Sequence, residues 1–255
     1  MPFGREGPRL WPGGTVACVS PSAEPTDRGS SPDGRRDLDP ARIDHTCLGP
    51  DAVARDIAQL CAEARDLGFK TVCVQPVFVA FAASRLAGSP VGVSAVVAFP
   101  HGASTTSTKI HEARVAVADG ATELDVVANL GWIRDGDGAA IERETRALVE
   151  AARGRAVKVI LETSLFSSDQ IAQAARAALA GGAAFLKTST GFAAGGGGGA
   201  TLEHVALLRA IAGGQAGVKA SGGIRTRAQA LAMLAAGADR LGCSASVALV
   251  RAGAP

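Results

Sequence analysis

From Ala41 onward the chain alternates between short apolar runs and longer, alanine-rich amphipathic runs, and this alternation limits the possible folds more than any single motif does. The short runs occupy residues 43–47, 70–74, 91–99, 123–128, 157–162, 184–187, 217–220 and 240–242. Helical stretches at residues 51–67, 106–118, 139–152, 168–180, 201–211 and 226–235 separate them. Strands alternating with helices predict a parallel sheet covered by helices. Eight strand candidates in a chain of 255 residues favour closure into a single (β/α)8 TIM barrel over an open α/β sheet. Gly68, Gly120, Gly182 and Gly237 each follow a helical stretch and precede a strand, where a left-handed residue ends a helix at little steric cost.

Residues 1–40 have no such period. They are rich in Pro, Gly, Ser, Arg and Asp, with Pro21, Pro25, Pro32 and Pro40 breaking any regular element. They are expected to form a mobile N-terminal extension, with a short piece around residues 15–19 able to pack on the body. The barrel domain then spans 41–255. Gly195 to Gly199 are expected to be a flexible insertion between the sixth strand and its helix, too flexible to hold a phosphate alone. Hydrophobic residues make up 47% of the chain and charged residues 20%, which supports a large core and excludes wholesale disorder. With a net charge of +2 and no lysine-arginine block, neither a nucleic-acid partner nor a membrane surface is expected. The five cysteines are odd in number and include no C-x-x-C pair, which reads as reduced thiols. No apolar run reaches the length of a membrane span and the N-terminus has no signal-peptide core, so a soluble, cytoplasmic protein is expected.

In a barrel of this kind the active site lies at the C-terminal ends of the strands. Lys187 ends the sixth apolar run and precedes Thr188-Ser189-Thr190-Gly191, and Lys219 ends the seventh and precedes Ser221-Gly222-Gly223. An ammonium buried at a strand end is costly unless it is paired or its pKa falls, and lysines so placed become amine nucleophiles. Strand alternation allows Asp125, Lys158, Lys187 and Lys219 all to point into the barrel, with Glu123, Val127 and Asn129 on the face of Asp125 and Glu162 on that of Lys158. Charges on that inward face are hard to explain by structure alone. Three other roles stay open on this reading: Lys158 and Glu162 as a supporting ion pair, Asp125 as a simple counter-charge, and Lys219 as a phosphate ligand.

The segments Ile43-Asp44-His45-Thr46, Glu123-Leu124-Asp125-Val126-Val127, Lys158-Val159-Ile160-Leu161-Glu162-Thr163, Phe185-Leu186-Lys187-Thr188-Ser189-Thr190-Gly191-Phe192 and Val218-Lys219-Ala220-Ser221-Gly222-Gly223-Ile224-Arg225-Thr226 resemble, in order and spacing, the deoxyribose-phosphate aldolase family. The resemblance covers about residues 41–250. It implies a class I, Schiff-base-forming lyase that cleaves 2-deoxy-D-ribose 5-phosphate reversibly to D-glyceraldehyde 3-phosphate and acetaldehyde, in deoxyribose catabolism. By it, Lys187 is the Schiff-base lysine, Lys219 the second catalytic lysine and Asp125 the proton-relay carboxylate. Asp44, Cys73 and Lys158 match supporting positions near the substrate, and Thr190, Gly191, Gly222, Gly223, Gly242 and Ser244 complete the expected binding set. The family's phosphate loop after strand eight usually carries two successive serines, whereas this chain has Gly242-Cys243-Ser244-Ala245; the glycine run is longer than the family's usual pair, and there is no tyrosine. No cofactor or metal is expected, and His45, His101, His111 and His204 show no zinc-ligand spacing. The expected partners are the sugar phosphate and aldehyde, with a homodimer as candidate assembly. Rival readings are a different phosphate-binding barrel, either another Schiff-base aldolase or an isomerase, of which the isomerase would leave the paired lysines without a task, and a sugar-phosphate sensor that binds without turnover.

Overall fold

The structure is a computed structural model that describes residues 38–193 and 198–252. Nearly all of the expected N-terminal extension, including its 15–19 piece, and the glycines at 195–197 lie outside the described residues. The elements run β1 (Ile43–Cys47), α1 (Ala54–Leu67), β2 (Thr71–Val74), α2 (Val79–Arg85), β3 (Gly92–Val97), α3 (Thr106–Ala118), β4 (Glu123–Val127), α4 (Leu130–Asp135) and α5 (Gly138–Ala151). They continue with β5 (Ala156–Ile160), α6 (Ser168–Ala180), β6 (Phe185–Lys187), α7 (Leu202–Ala212), β7 (Gly217–Ser221), α8 (Arg227–Ala235), β8 (Arg240–Cys243) and α9 (Ser246–Arg251). Every strand pairs in parallel with the next, and β1 pairs with β8 in the register Asp44↔Gly242, which closes the expected (β/α)8 barrel.

The two faces of each strand have different jobs. Val72, Val93, Leu124, Val159, Leu186, Val218 and Leu241 point outward and join the helices in the main hydrophobic core. That core is therefore an annulus between sheet and helices. The inward face is mostly polar, with a small apolar cluster of Leu48, Cys73 and Val96. Helices start where sequence supplies an acceptor: Thr105, Ser167, Thr201 and Thr226 each take a backbone N–H in the first turn. Gly68 caps α1 in the left-handed conformation, and Gly120, Gly182 and Gly237 also have positive φ just past their helices, as their positions predict.

Several boundaries differ from expectation. Helix α1 starts at Ala54 rather than at 51, because Val53 is extended and gives its N–H to the Asp56 carboxylate at 3.0 Å. Helices α2, α4 and α9 have only seven, six and six residues, too short to show a helical period. β3 stops at Val97 because Ala98 turns to φ 53°, and β5 stops at Ile160, leaving Glu162 at φ 47°. Asn129 and Glu162 therefore leave the inward strand face on which alternation places them. Asn129 instead caps α4, accepting the Gly131 N–H at 3.0 Å.

Candidate active site

All eight strands send a polar side chain or a glycine into the lumen. Asp125, at the centre, accepts hydrogen bonds through Oδ1 from Ser94 (2.8 Å) and Lys158 (2.7 Å). Its Oδ2 meets Lys187 at 2.6 Å and Lys219 at 2.7 Å. Lys219 also contacts Asp44 Oδ2 at 2.5 Å, and Asp44 Oδ1 accepts from Thr71 (2.8 Å) and from Arg240. Arg240 reaches on to Glu123 at 3.0 Å, and Glu123 returns to Lys158 at 2.6 Å. The contacts close a ring of alternating charge: Asp125, Lys219, Asp44, Arg240, Glu123, Lys158 and back to Asp125. Lys187 hangs from Asp125 as a seventh, unmatched member. Beneath the ring the Phe185 ring lies 5.7 Å from the Arg240 guanidinium, and Gly217 leaves room for Phe185, whose ring would stand 2.2 Å from an added Cβ.

The three lysines differ in their surroundings. Lys158 and Lys219 have fully buried side chains, and Lys187 is 3% exposed. Burial works to lower all three. For Lys158 and Lys219 it is outweighed by their acidic partners, chiefly Asp125 with Asp44, so both are raised above the ordinary lysine value and stay charged. For Lys187 burial wins: Asp125 pulls the other way, but the Lys219 charge adds to the lowering. Burial would raise Asp125, yet Lys158, Lys187 and Lys219 hold its carboxyl well below the usual range. Asp44 is likewise lowered, against its burial, by Lys219, Lys158 and Arg240. Cys73 is buried beside this cluster, and burial and then Asp125 push its thiol up.

Lys187 opens into a cavity of about 430 Å³ at the C-terminal ends of the strands. Of the expected binding residues, Thr190, Gly191, Gly222, Gly223, Gly242 and Ser244 line it. Asp44, Cys73, Asp125, Lys158 and Lys219 lie below it as buried support rather than wall. Lys158 does not pair with Glu162, so that alternative falls. The Glu162 carboxylate instead accepts the Thr190 N–H at 3.1 Å and its hydroxyl, fixing the turn after Lys187. The ends of β6 and β7 are tied by Thr188 and Ser221 at 3.1 Å and by the Ser221 hydroxyl to the Ser189 carbonyl at 2.5 Å. Gly242 is needed sterically, since an added Cβ would stand 2.9 Å from Lys219 Cε.

Sequence reasoning missed Arg240, Ser94, Thr71 and Arg225, and gave Glu123 no role. Arg240 opens the eighth apolar run on the same face as Gly242, and that alternation was a signal that could have found it. Arg225, an exposed cation on the cavity wall, follows Gly222-Gly223-Ile224 directly. Among the described residues, no group of three His, Cys, Asp or Glu side chains is gathered as metal ligands.

Comparison with known proteins agrees with this geometry. Residues 41–250 match the DeoC/LacD family aldolase description. A deoxyribose-phosphate aldolase of Bacillus cytotoxicus is 47% identical over 209 residues, which is 82% of this chain and 92% of that protein. One from Bacillus cereus strain AH187 is 48% identical over the same length and the same shares. Among solved structures, the tetrameric deoxyribose phosphate aldolase from Aeropyrum pernix is similar with a TM-score of 0.78 at 34% identity, covering 84% of this chain and 89% of that one. A lumen carrying a surplus amine under a polar cavity, together with this likeness over most of its length, shows that the chain belongs to the DeoC/LacD family of aldolases.

Proposed function

We propose that this aldolase is a deoxyribose-phosphate aldolase, cleaving 2-deoxy-D-ribose 5-phosphate reversibly to D-glyceraldehyde 3-phosphate and acetaldehyde through an iminium on Lys187. One observation carries the residue assignment: of the three lumen lysines, only Lys187 both reaches the cavity and is held below its ordinary basicity. An amine attacks a carbonyl only when neutral, and a free lysine with a pKa of about 10.4 is almost wholly charged at neutral pH.

The Lys187 amine adds to the C1 carbonyl of the open-chain sugar, and loss of water from the carbinolamine gives the iminium. The C3 hydroxyl then loses its proton and the C2–C3 bond breaks. D-glyceraldehyde 3-phosphate leaves, and the bonding pair is held as the enamine. Protonation at C2 and addition of water release acetaldehyde and restore the amine. Asp125 Oδ2, which faces Lys187 at 2.6 Å, is placed to take and return protons in these steps, directly or through water. The iminium carries the same charge as the ammonium it replaces, so Asp125 stabilises it while Lys219 keeps the free amine neutral. Asp44 and Lys158 support both groups. The 5-phosphate sits toward Gly222, Gly223, Arg225, Gly242 and Ser244 on the opposite wall, where the Arg225 guanidinium offers charged N–H donors beside the single Ser244 hydroxyl. No helix among the described residues is long and apolar enough to cross a membrane. Among the same residues Cys47, Cys61, Cys73 and Cys243 are free thiols, which fits a reducing cytoplasm.

Reduction with borohydride in the presence of acetaldehyde, followed by peptide mass spectrometry, should place the adduct on Lys187. A main adduct on Lys158 or Lys219 would overturn the assignment.

A further inference from the structure

We propose that Arg240 is a positioning residue for this reaction: it closes the charge ring through Asp44 and Glu123 and so leaves Lys187 as the surplus amine. The inference rests on Lys187 as the iminium-forming residue. The lumen holds three carboxylates (Asp44, Glu123 and Asp125) and four bases (Lys158, Lys187, Lys219 and Arg240), each joined to another by the contacts above. Three of each cancel around the ring, and the remaining positive charge falls to the base with the fewest acidic contacts. Lys158 faces Asp125, Glu123 and, at 3.8 Å, Asp44; Lys219 faces Asp125 and Asp44; Lys187 faces Asp125 alone, with Lys219 and Cys73 as its other titratable neighbours. Arginine cannot discharge in a protein, so Arg240 forces the surplus onto a lysine.

A neutral residue at 240 would leave three carboxylates facing three lysines, and Lys187 would hold its proton. The effect is electrostatic and reaches across the sheet. Register pairs Lys187 with Lys219 and Lys219 with Arg240, which sets Arg240 two strand spacings from Lys187, about 10 Å. A unit charge at that range in a medium of effective dielectric about 20 moves a titration by on the order of one pH unit.

The test is the acidic limb of kcat/KM for the retro-aldol reaction. Arg240→Met should shift the limb upward by on the order of one pH unit, and Arg240→Lys, which keeps a charge, should shift it less. Glu123→Gln removes one acid, adds to the surplus and should shift the limb downward. Arg240→Met combined with Glu123→Gln restores the count to two acids against three lysines, and its limb should return toward that of the parent. A purely structural Arg240 predicts lower activity with the limb unmoved in every variant, and that result sinks the inference. Should Arg240→Met fail to fold, Glu123→Gln still decides: an unmoved limb there is equally fatal. Borohydride trapping on the parent separates the two levels. If its adduct lies elsewhere than Lys187, the assignment of Lys187 and this inference fall together; an adduct on Lys187 with unmoved limbs sinks the inference alone.

Discussion

Three lysines of identical chemistry end with three different electrostatic neighbourhoods, and the difference lies in how many carboxylate oxygens each meets. Lys219 is held between Asp125 Oδ2 and Asp44 Oδ2 at 2.7 and 2.5 Å and stays charged, so the role proposed for it toward Lys187 is repulsion. Replacing Lys219 with leucine removes that repulsion and leaves Asp125 Oδ2 to Lys187 alone, so Lys187 should become more basic. Below its pKa the amine is protonated and cannot attack; activity rises as pH climbs through that pKa. The variant should lose roughly 10²-fold or more at pH 7, and its residual rate should climb at higher pH than in the parent. Lys219→Arg keeps the charge in altered geometry and should retain more activity. An unchanged acidic limb in the leucine variant would assign Lys219 to direct proton transfer or phosphate binding instead. Lys187 and Lys219 were legible in sequence because a charge that ends an apolar strand is conspicuous. Arg240 was not, because a charge that opens a strand looks like the end of the preceding loop.

Among the elements, helices α3 and α5 carry a feature that hydrophobic period alone hides. Lys109 is completely buried, donating to the Val127 carbonyl at 2.9 Å and to Glu144 at 2.8 Å, while Thr106 gives its hydroxyl to the other Glu144 oxygen at 3.0 Å. The pair fastens both helices to the end of β4, two residues beyond Asp125. Lys109→Met strands the Glu144 charge in a dry site and should cost about 3–5 kcal/mol in urea unfolding. Adding Glu144→Leu should recover more than half of that loss, because the double variant leaves no unpaired charge. A double variant no more stable than the single would mean that packing, not charge, sets the cost. The same scale explains the strand-end errors. Apolar residues continue past β3 and β5, but Ala98 and Glu162 turn to positive φ, and Glu162 is held there by Thr190 from the next strand end. Such a partner is invisible from within its own segment.

For the whole molecule, the barrel closes between β1 and β8, and the first core residue among those described is Leu38, at 3% exposure. A chain beginning at Asp37 keeps all eight strands and the whole segment that matches the family, and is expected to fold and to keep its retro-aldol activity. A thermal midpoint lowered by more than about 4 °C, on the order of 1 kcal/mol for a domain of this size, would show that the preceding residues contribute to the barrel. What the sequence determined by itself was the local part of the fold. Eight alternations of strand and helix set the architecture, and the period of two told which side chains share a face, because both follow from backbone geometry and from burial of apolar area within a segment. The tertiary structure alone decided which charge meets which. Asp44 and Arg240 touch across 196 positions of chain, and Lys219 and Asp125 across 94. Those contacts exist only once closure makes the first strand and the last into neighbours and brings the inward charges of β4 and β7 together in one lumen. Lys187 can be recognised at a strand end, but its lowered basicity comes from burial in the closed lumen with the Lys219 charge beside it.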